Sequence, residues 1–102
     1  MRKRSPRGVK IKSADHLLFG RVVREIRARR VLSQEGLGQR SGLHRNYVGA
    51  VERGEINPTL ATILTLCRGL NVGIDELFEL YCTRRGDANG QRPGDAVRGW
   101  QP

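Results

Sequence analysis

The sequence predicts an all-α fold, a compact domain of five helices. Three observations lead to this prediction. Apolar residues recur at helical spacing through the middle of the chain, no segment alternates with period two for long enough to form a strand, and glycine, serine and proline separate the helical stretches. A chain of 102 residues is long enough for one hydrophobic core and too short for two. We therefore expect one domain over residues 15–82, with a weakly ordered segment on each side.

The first helix is predicted from about Asp15 to Val31. Leu18, Val22 and Ile26 follow one another at i+4 steps, which gives the helix an apolar face, and arginines populate the opposite face. The preceding residues, 1–14, hold few apolar side chains among many basic ones. We interpret them as a flexible basic arm.

A helix, a short turn and a second helix are predicted over residues 34–53. Ser33 is a good N-cap for the first of these, which runs from Gln34 to about Arg40. Gly42 lies in the turn, where a glycine can adopt a positive φ. The second helix runs from about His44 to Arg53. This length matches a helix-turn-helix unit.

Two other glycines support this reading of the unit. Gly54 follows the second helix and is predicted to be its C′ residue. Gly38 is placed where the two helices cross, and only a small side chain lets the backbones approach there. The joint spacing of Gly38 and Gly42 with the apolar residues is more informative than any one of these features. Those apolar residues are Leu37, Leu43, Val48 and Val51.

Two further helices complete the predicted domain. Asn57-Pro58 opens the fourth, which runs to about Leu70 and carries Leu60 and Cys67 on its apolar side. Gly73 precedes the fifth, which runs from Ile74 to about Cys82. The acidic residues in its first turn suit the positive end of a helix dipole.

The last segment, residues 83–102, is predicted to be a disordered tail. It holds four glycines and two prolines and offers no periodic apolar face. It also contains Trp100, the only tryptophan, which we interpret as packing against nothing.

Charge is distributed unevenly along the chain. The net charge is +9, and residues 1–30 alone sum to +9. Residues 31–72 sum to +1, residues 73–82 to −3 and residues 83–102 to +2. An excess of this size implies an anionic partner, with nucleic acid first and a membrane surface or an acidic protein after it.

Several classes of protein are excluded. The longest uncharged stretch, residues 56–67, is too short to span a bilayer, and no apolar signal-peptide core follows the basic N-terminus. Cys67 and Cys82 are too few for a disulfide scaffold and make no zinc pattern with two histidines. No nucleophile–base pair or paired carboxylates occur at useful spacing. We therefore expect a cytoplasmic, nucleoid-associated protein that is not an enzyme and has no metal, cofactor, small-molecule ligand or membrane partner.

The middle of the chain resembles the phage-repressor/Cro-like, or XRE-type, helix-turn-helix domains. The resemblance runs without gaps from about Phe19 to Phe78 and is carried by the LSQ opening, the GL turn, the VERGE…NPTL junction and the final LNV…DELF. It implies a five-helix, lambda-repressor-like domain that binds double-stranded DNA sequence-specifically, usually as a homodimer. Among such domains, the LHRNYV…ERG run is most similar to small controllers of restriction–modification operons and other stand-alone repressors. A palindromic operator and a role as repressor or autoregulator follow from that resemblance.

The resemblance also implies roles for individual residues. The third helix would lie in the major groove, where arginine can bond guanine and asparagine can bond adenine. Gly49 would let this helix lie closer to the bases. The implied assignments are base readout by Arg45, Asn46 and Ala50, phosphate contacts by Ser33, Gln34, Arg53 and Asn57, and a structural pair of Arg27 with Glu52.

Alternatives remain beside these roles. Arg45 and Asn46 fit an ordinary solvated helix face as well, and Tyr47 fits either packing or a phosphate contact. Helix five carries the dimer candidates Leu77, Leu80 and Tyr81, although its spacing also allows all but Leu80 to face the core. A different class of function is a protein-interaction module of antitoxin or coactivator type, in which DNA binding is secondary.

Overall fold

A computed structural model describes the backbone of residues 11–89 and the side chains of residues 11–86. The described part is all-α, as predicted, with no strand between residues 11 and 89. Most of the predicted arm and the end of the predicted tail, including Trp100, lie outside it. The helices are α1 (Ala14–Arg29), α2 (Gln34–Ser41), α3 (Arg45–Glu52), α4 (Leu60–Leu70) and α5 (Ile74–Asn89).

Side-chain caps fix where the helices begin. Ser33 Oγ accepts a hydrogen bond from the Gly36 N–H at 2.8 Å, so Ser33 caps α2 as predicted. His44 caps α3 through Nδ1, so this helix begins one residue later than expected. Thr59 caps α4, which begins at Leu60 and not at Asn57-Pro58. Each of these caps satisfies an N–H group that the helix itself leaves unpaired.

Left-handed residues lie at the ends of helices α1 to α4. Gly42 has φ 72° and Gly54 has φ 75°, as the predicted turn and C′ position require. Helix α1 ends at Arg29 and does not reach Val31, which has φ 57° and an 89% exposed side chain. The Leu32 N–H bonds back to the Arg27 carbonyl at 3.1 Å, which closes the helix. A β-branched residue is strained in this conformation, at about 1–3 kcal/mol.

All five helices contribute to one hydrophobic core. Helix α2 packs against α3 and α4, and α1 packs against α3 and α5. Leu77 of α5 is fully buried, so the prediction that it contributes to a dimer contact is wrong. Leu60, in contrast, is 64% exposed and does not share the core face of α4. The core comprises Phe19, Val22, Val23, Ile26, Leu37, Val48, Val51, Leu66, Cys67, Leu70 and Leu77.

The last helix extends beyond its predicted end. Helix α5 continues through residues 83–89, so the boundary at residue 82 is wrong. Arg84 donates to both carboxylate oxygens of Glu25 at 3.0 and 2.5 Å, and Arg85 Nε lies 3.7 Å from Asp15 Oδ1. These ion pairs join the helical extension to α1.

The end of the predicted arm is also ordered. The Lys12 N–H donates to the Gly54 carbonyl at 2.8 Å, and Ser13 caps α1 through a 3.1 Å bond from the His16 N–H. The domain therefore begins before residue 15. None of the helices within residues 11–89 is long and apolar enough to cross a membrane.

Candidate nucleic-acid interface

The helix-turn-helix unit is built from α2, the turn at Gly42 and α3. The Leu43 N–H donates to the Gly38 carbonyl at 2.9 Å, and Leu37 and Val48 are fully buried behind the turn. A Cβ on Gly38 would collide with the carbonyl oxygen of Leu43, so the close approach of the turn to α2 requires glycine at this position. The turn is therefore packed directly against α2.

Helix α3 is exposed at its first two residues and mostly buried from Val48 onward. Its C-terminal half is packed into the domain, with Val51 and Glu52 buried. At its N-terminal end, Arg45 and Asn46 are exposed, and Ala50 is half-buried one turn further along. The predicted base-reading residues thus share a helix whose other half is fixed in the core.

A buried ion pair fixes the C-terminal half of α3 to α1. Arg27 Nε lies 2.6 Å from Glu52 Oε2, and Arg27 Nη2 donates to Glu52 Oε1 at 3.1 Å. The Glu52 side chain is only 3% exposed, and the Arg27 side chain is largely buried. A bidentate arginine–carboxylate pair has a fixed geometry as well as charge attraction. The pair predicted to be structural therefore lies directly beneath the candidate interface.

Gln34 is a third member of this group. Its Nε2 donates to Glu52 Oε1 at 3.0 Å, which orients the amide at the start of α2. The resemblance implies a phosphate contact for Gln34, and no local pattern links this residue with Glu52. Their separation of 18 residues hides the contact, since only the crossing of α2 and α3 brings the two side chains together.

Gly49 lies next to two of the predicted phosphate contacts. A Cβ at this position would lie 3.0 Å from Arg53 Nη1 and 3.2 Å from Gln34 Oε1. The glycine is buried beneath these two side chains, so a Cβ at this position would press on both of them. Gln34 and Arg53, both predicted phosphate contacts, consequently lie next to each other.

Two arginines of the interface are paired with glutamates. Arg53 Nε lies 2.8 Å from Glu55 Oε2, and Arg53 Nη2 donates to Glu55 Oε1 at 3.3 Å. The hydrogen bond to Glu55 raises the pKa of Arg53 above its ordinary value. Arg45 Nη1 lies 3.6 Å from Glu35 Oε1, with both side chains 60% exposed. The first pair is bidentate and short, and the second is an open ion pair.

The other two predicted phosphate contacts, Ser33 and Asn57, make hydrogen bonds within the protein. The Ser33 hydroxyl caps α2, and the Asn57 Oδ1 lies 3.1 Å from His16 Nε2. His16 Nδ1 in turn lies 2.7 Å from Ser13 Oγ, so Asn57 bridges the end of the α3–α4 connection to α1. The amide nitrogen of Asn57 is then the group that can donate to a phosphate oxygen.

The dimer candidates of α5 have separate environments. Leu80 is half-buried at the surface between α1 and α5, near Ile26. Tyr81 donates its hydroxyl to Asp15 Oδ1 at 2.7 Å, and its ring packs edge-on against Phe78 with centroids 6.0 Å apart. Burial and the bond to Asp15 raise the pKa of Tyr81 to about 12. Both side chains remain accessible in part, whereas Leu77 is enclosed.

Among the residues that the structure describes, no group of three or more histidine, cysteine or acidic side chains could hold a metal ion. Both cysteines within it are free, and burial raises the pKa of the Cys67 thiol.

Comparisons with known proteins bear on the helix-turn-helix unit. Residues 18–80 match a family model described as a helix-turn-helix domain. Control protein C.SmaI of Serratia marcescens is 46% identical over 69 residues, which cover 68% of this chain and 77% of that protein. The crystal structure of the restriction-modification controller protein C.AhdI from Aeromonas hydrophila is 48% identical with a TM-score of 0.62, over 64% of this chain and 98% of that one. The controller protein C.Esp1396I, solved as a tetramer with its natural 35 base-pair operator, is 28% identical with a TM-score of 0.66, over 69% of this chain and 92% of that one.

Proposed function

We propose that this chain, which belongs to the helix-turn-helix domain family of the phage-repressor or XRE type, is a transcriptional regulator. It would bind double-stranded DNA sequence-specifically. The relatives are named as controllers and regulators and not as enzymes. The finer proposal is a repressor or autoregulator that binds a palindromic operator as a homodimer. The likeness of this chain to C.SmaI and C.AhdI favours a role as a controller of a restriction–modification operon.

The exposed N-terminal half of α3 carries the proposal. In the major groove this half would meet base edges, and its residue types suit that position. Arg45 would donate to guanine O6 and N7, Asn46 would bond adenine N6 and N7, and Ala50 would contact a thymine methyl group. The packed half of the same helix, to which Ala50 belongs, holds Arg45 and Asn46 in a fixed orientation.

Phosphate contacts would flank the reading helix. Ser33 and Gln34 lie at the N-terminus of α2, where backbone N–H groups and the helix dipole favour an anion. Glu52 orients the Gln34 amide, and Arg53 lies beside it over Gly49. Asn57 would add a contact from the α3–α4 connection. Such contacts set the register of the protein on the duplex and carry no sequence information themselves.

A homodimer would present two reading helices related by a twofold axis. Half-sites would then lie about 34 Å apart, one turn of DNA. Leu80 and Tyr81 of α5 are the dimer candidates that remain accessible, and Leu60 adds an exposed apolar side chain on α4. The tetramer of C.Esp1396I in complex with its operator supports the proposal that this chain also assembles on DNA.

Selection of binding sites from random duplexes tests the proposal. We expect the full chain to enrich a palindrome at moderate salt. Absence of enrichment would contradict a sequence-specific regulator and favour an interaction module of antitoxin or coactivator type.

The reading residues are tested on the selected operator. Arg45→Ala and Asn46→Ala should each lower the preference for the operator over random DNA by about 1–3 kcal/mol, the discrimination of one bidentate contact. Arg68→Ala is the matched control for charge, because Arg68 is an exposed arginine on α4 and should leave the preference unchanged. Equal weakening on all sequences would show that Arg45 binds phosphate only.

A further inference from the structure

A half-buried histidine in the first turn of α1 has a hydrogen-bond partner at each ring nitrogen. His16 Nδ1 lies 2.7 Å from Ser13 Oγ, and His16 Nε2 lies 3.1 Å from Asn57 Oδ1. The Ser13 Oγ also accepts a hydrogen bond from the His16 N–H at 3.1 Å. Partners on opposite sides of the imidazole hold its ring in one orientation.

The backbones on the two sides of this bridge are also held together. The Lys12 N–H donates to the Gly54 carbonyl at 2.8 Å. Gly54 lies so close to α1 that a Cβ on it would be 2.7 Å from a Cα atom of that helix. Asn57 precedes Pro58, and a residue before proline is restricted to an extended backbone. The start of α1 and the α3–α4 connection are therefore placed together, and only the Asn57 side chain remains to be oriented.

The bond from His16 determines which end of the Asn57 amide is available to DNA. A carbonyl oxygen cannot donate, so Nε2 carries the hydrogen and Asn57 Oδ1 accepts it. The amide oxygen, which would repel a phosphate, is thereby turned towards α1. The NH2 group of this exposed side chain, which can donate to a phosphate, is left on the solvent side.

We propose that His16 is a positioning residue that acts through Asn57 and raises the affinity of the protein for the DNA backbone. The inference rests on the proposed function, in which Asn57 contacts a phosphate. His16 precedes both the stretch that carries the resemblance and residues 18–80, which match the family model, so neither assigns it a role.

The gain comes from order that exists before DNA binds. A side chain that is immobilised only on binding loses conformational entropy, which lowers the affinity roughly two- to tenfold. The bond from His16 already holds the Asn57 amide in its donating orientation in the free protein. The same bond can persist in the complex, because Oδ1 and the NH2 group point to different partners. It is therefore not exchanged for the phosphate contact, and less entropy is lost on binding.

Two amide variants separate the two bonds of His16. A glutamine side chain places its amide nitrogen where histidine has Nε2, so His16→Gln can still donate to Asn57. An asparagine side chain reaches only as far as Nδ1, so His16→Asn can contact Ser13 but not Asn57. We expect His16→Asn to weaken binding roughly two- to fivefold and His16→Gln to bind like the wild type. The loss should be the same on the selected operator and on a scrambled duplex, because a phosphate contact carries no sequence information.

Two further measurements test whether His16 acts through Asn57. In the Asn57→Ala background, His16→Asn should cause no further loss of affinity, because the residue through which His16 acts is gone. The dependence of affinity on salt concentration should be the same in His16→Asn as in the wild type, because the contact that is weakened belongs to a neutral amide. Thermal unfolding of each variant checks that the fold is retained.

Three results would overturn the inference. The first is that His16→Asn and His16→Gln bind equally well or equally weakly. The second is a loss in His16→Asn that persists in the Asn57→Ala background. The third is a weaker salt dependence in His16→Asn, which would mean that His16 itself binds a phosphate as a cation. Failure of the proposed function is distinguishable, because the wild-type protein would then enrich no operator, whereas the His16 variants can still be compared on a scrambled duplex.

Discussion

The two halves of α3 belong to one short helix and have opposite surroundings. The C-terminal half is enclosed, and Glu52 there accepts hydrogen bonds from both Arg27 and Gln34. The N-terminal half presents Arg45 and Asn46 to solvent, with a single open ion pair. Because a helix is rigid over two turns, the enclosed half determines the orientation of the exposed half. Stability and recognition are therefore expected to depend on different ends of the same helix.

The largest effect should come from the enclosed half. Glu52→Gln leaves the Arg27 guanidinium largely buried without its carboxylate, and breaking such a pair costs about 3–5 kcal/mol. We expect about 3 kcal/mol, because Arg27 keeps some access to water. Urea denaturation at fixed protein concentration measures this free energy of unfolding. A loss below about 1 kcal/mol would mean that the ion pair contributes little to holding α3.

A steric change beneath α3 should have the next largest effect. Gly20 of α1 faces the carbonyl oxygens of Val51 and Glu52, and a Cβ there would overlap both. Gly20→Ala must therefore separate α1 from α3, at about 1–3 kcal/mol. The same denaturation experiment measures it. Gly36→Ala is a suitable control, because the new Cβ would lie 3.2 Å from the Ser33 hydroxyl oxygen and would not approach α1 or α3.

A change remote from α3 tests whether large losses in the free energy of unfolding are specific to substitutions around α3 or general to the domain. Tyr81→Phe removes the 2.7 Å bond to Asp15 and should cost about 1 kcal/mol at neutral pH. The pKa of Tyr81 is raised from 10.0 to about 12 in the folded protein, so the neutral form is favoured by folding. That contribution is fully present below pH 10 and is lost as the pH rises from 10 to 12. The stability advantage of the wild type over Tyr81→Phe should shrink in this window.

The smallest effect on stability should come from the exposed half. Arg45→Ala and Asn46→Ala touch no buried group, and we expect the free energy of unfolding to change by less than about 0.5 kcal/mol. Glu52→Gln, measured in parallel, provides the contrast. If Arg45→Ala destabilised the domain by more than about 1 kcal/mol, the division of α3 into two functional halves would be wrong.

Local patterns were sufficient to predict most of the helices. Ser33, Gly42 and Gly54 act through their own conformations and nearest neighbours, so their positions were readable from the sequence. The contact of Gln34 with Glu52 depends on how α2 crosses α3, which no local pattern encodes. Local spacing also does not decide which side of α5 is buried. For this reason Leu77 is among the predicted dimer candidates although it is fully buried.

At the end of α5 the sequence predicts disorder where the structure has a helix. Glycine and proline are frequent in residues 83–102, and this composition predicts a disordered tail from residue 83. The ion pair of Arg84 with Glu25 spans 59 residues and supplies a long-range contact that composition does not reveal. Tertiary contacts therefore override weak local preference at this position.

Val31 has a consequence for how such a protein can change over time. Its left-handed backbone is strained for a β-branched residue, and its side chain is 89% exposed, so no contact in the core requires valine. Asparagine or glycine at this position would release part of that strain. One substitution at residue 31 would therefore increase the free energy of unfolding of the domain. A lineage that gained this stability would tolerate costlier changes elsewhere, including changes at the proposed reading residues of α3.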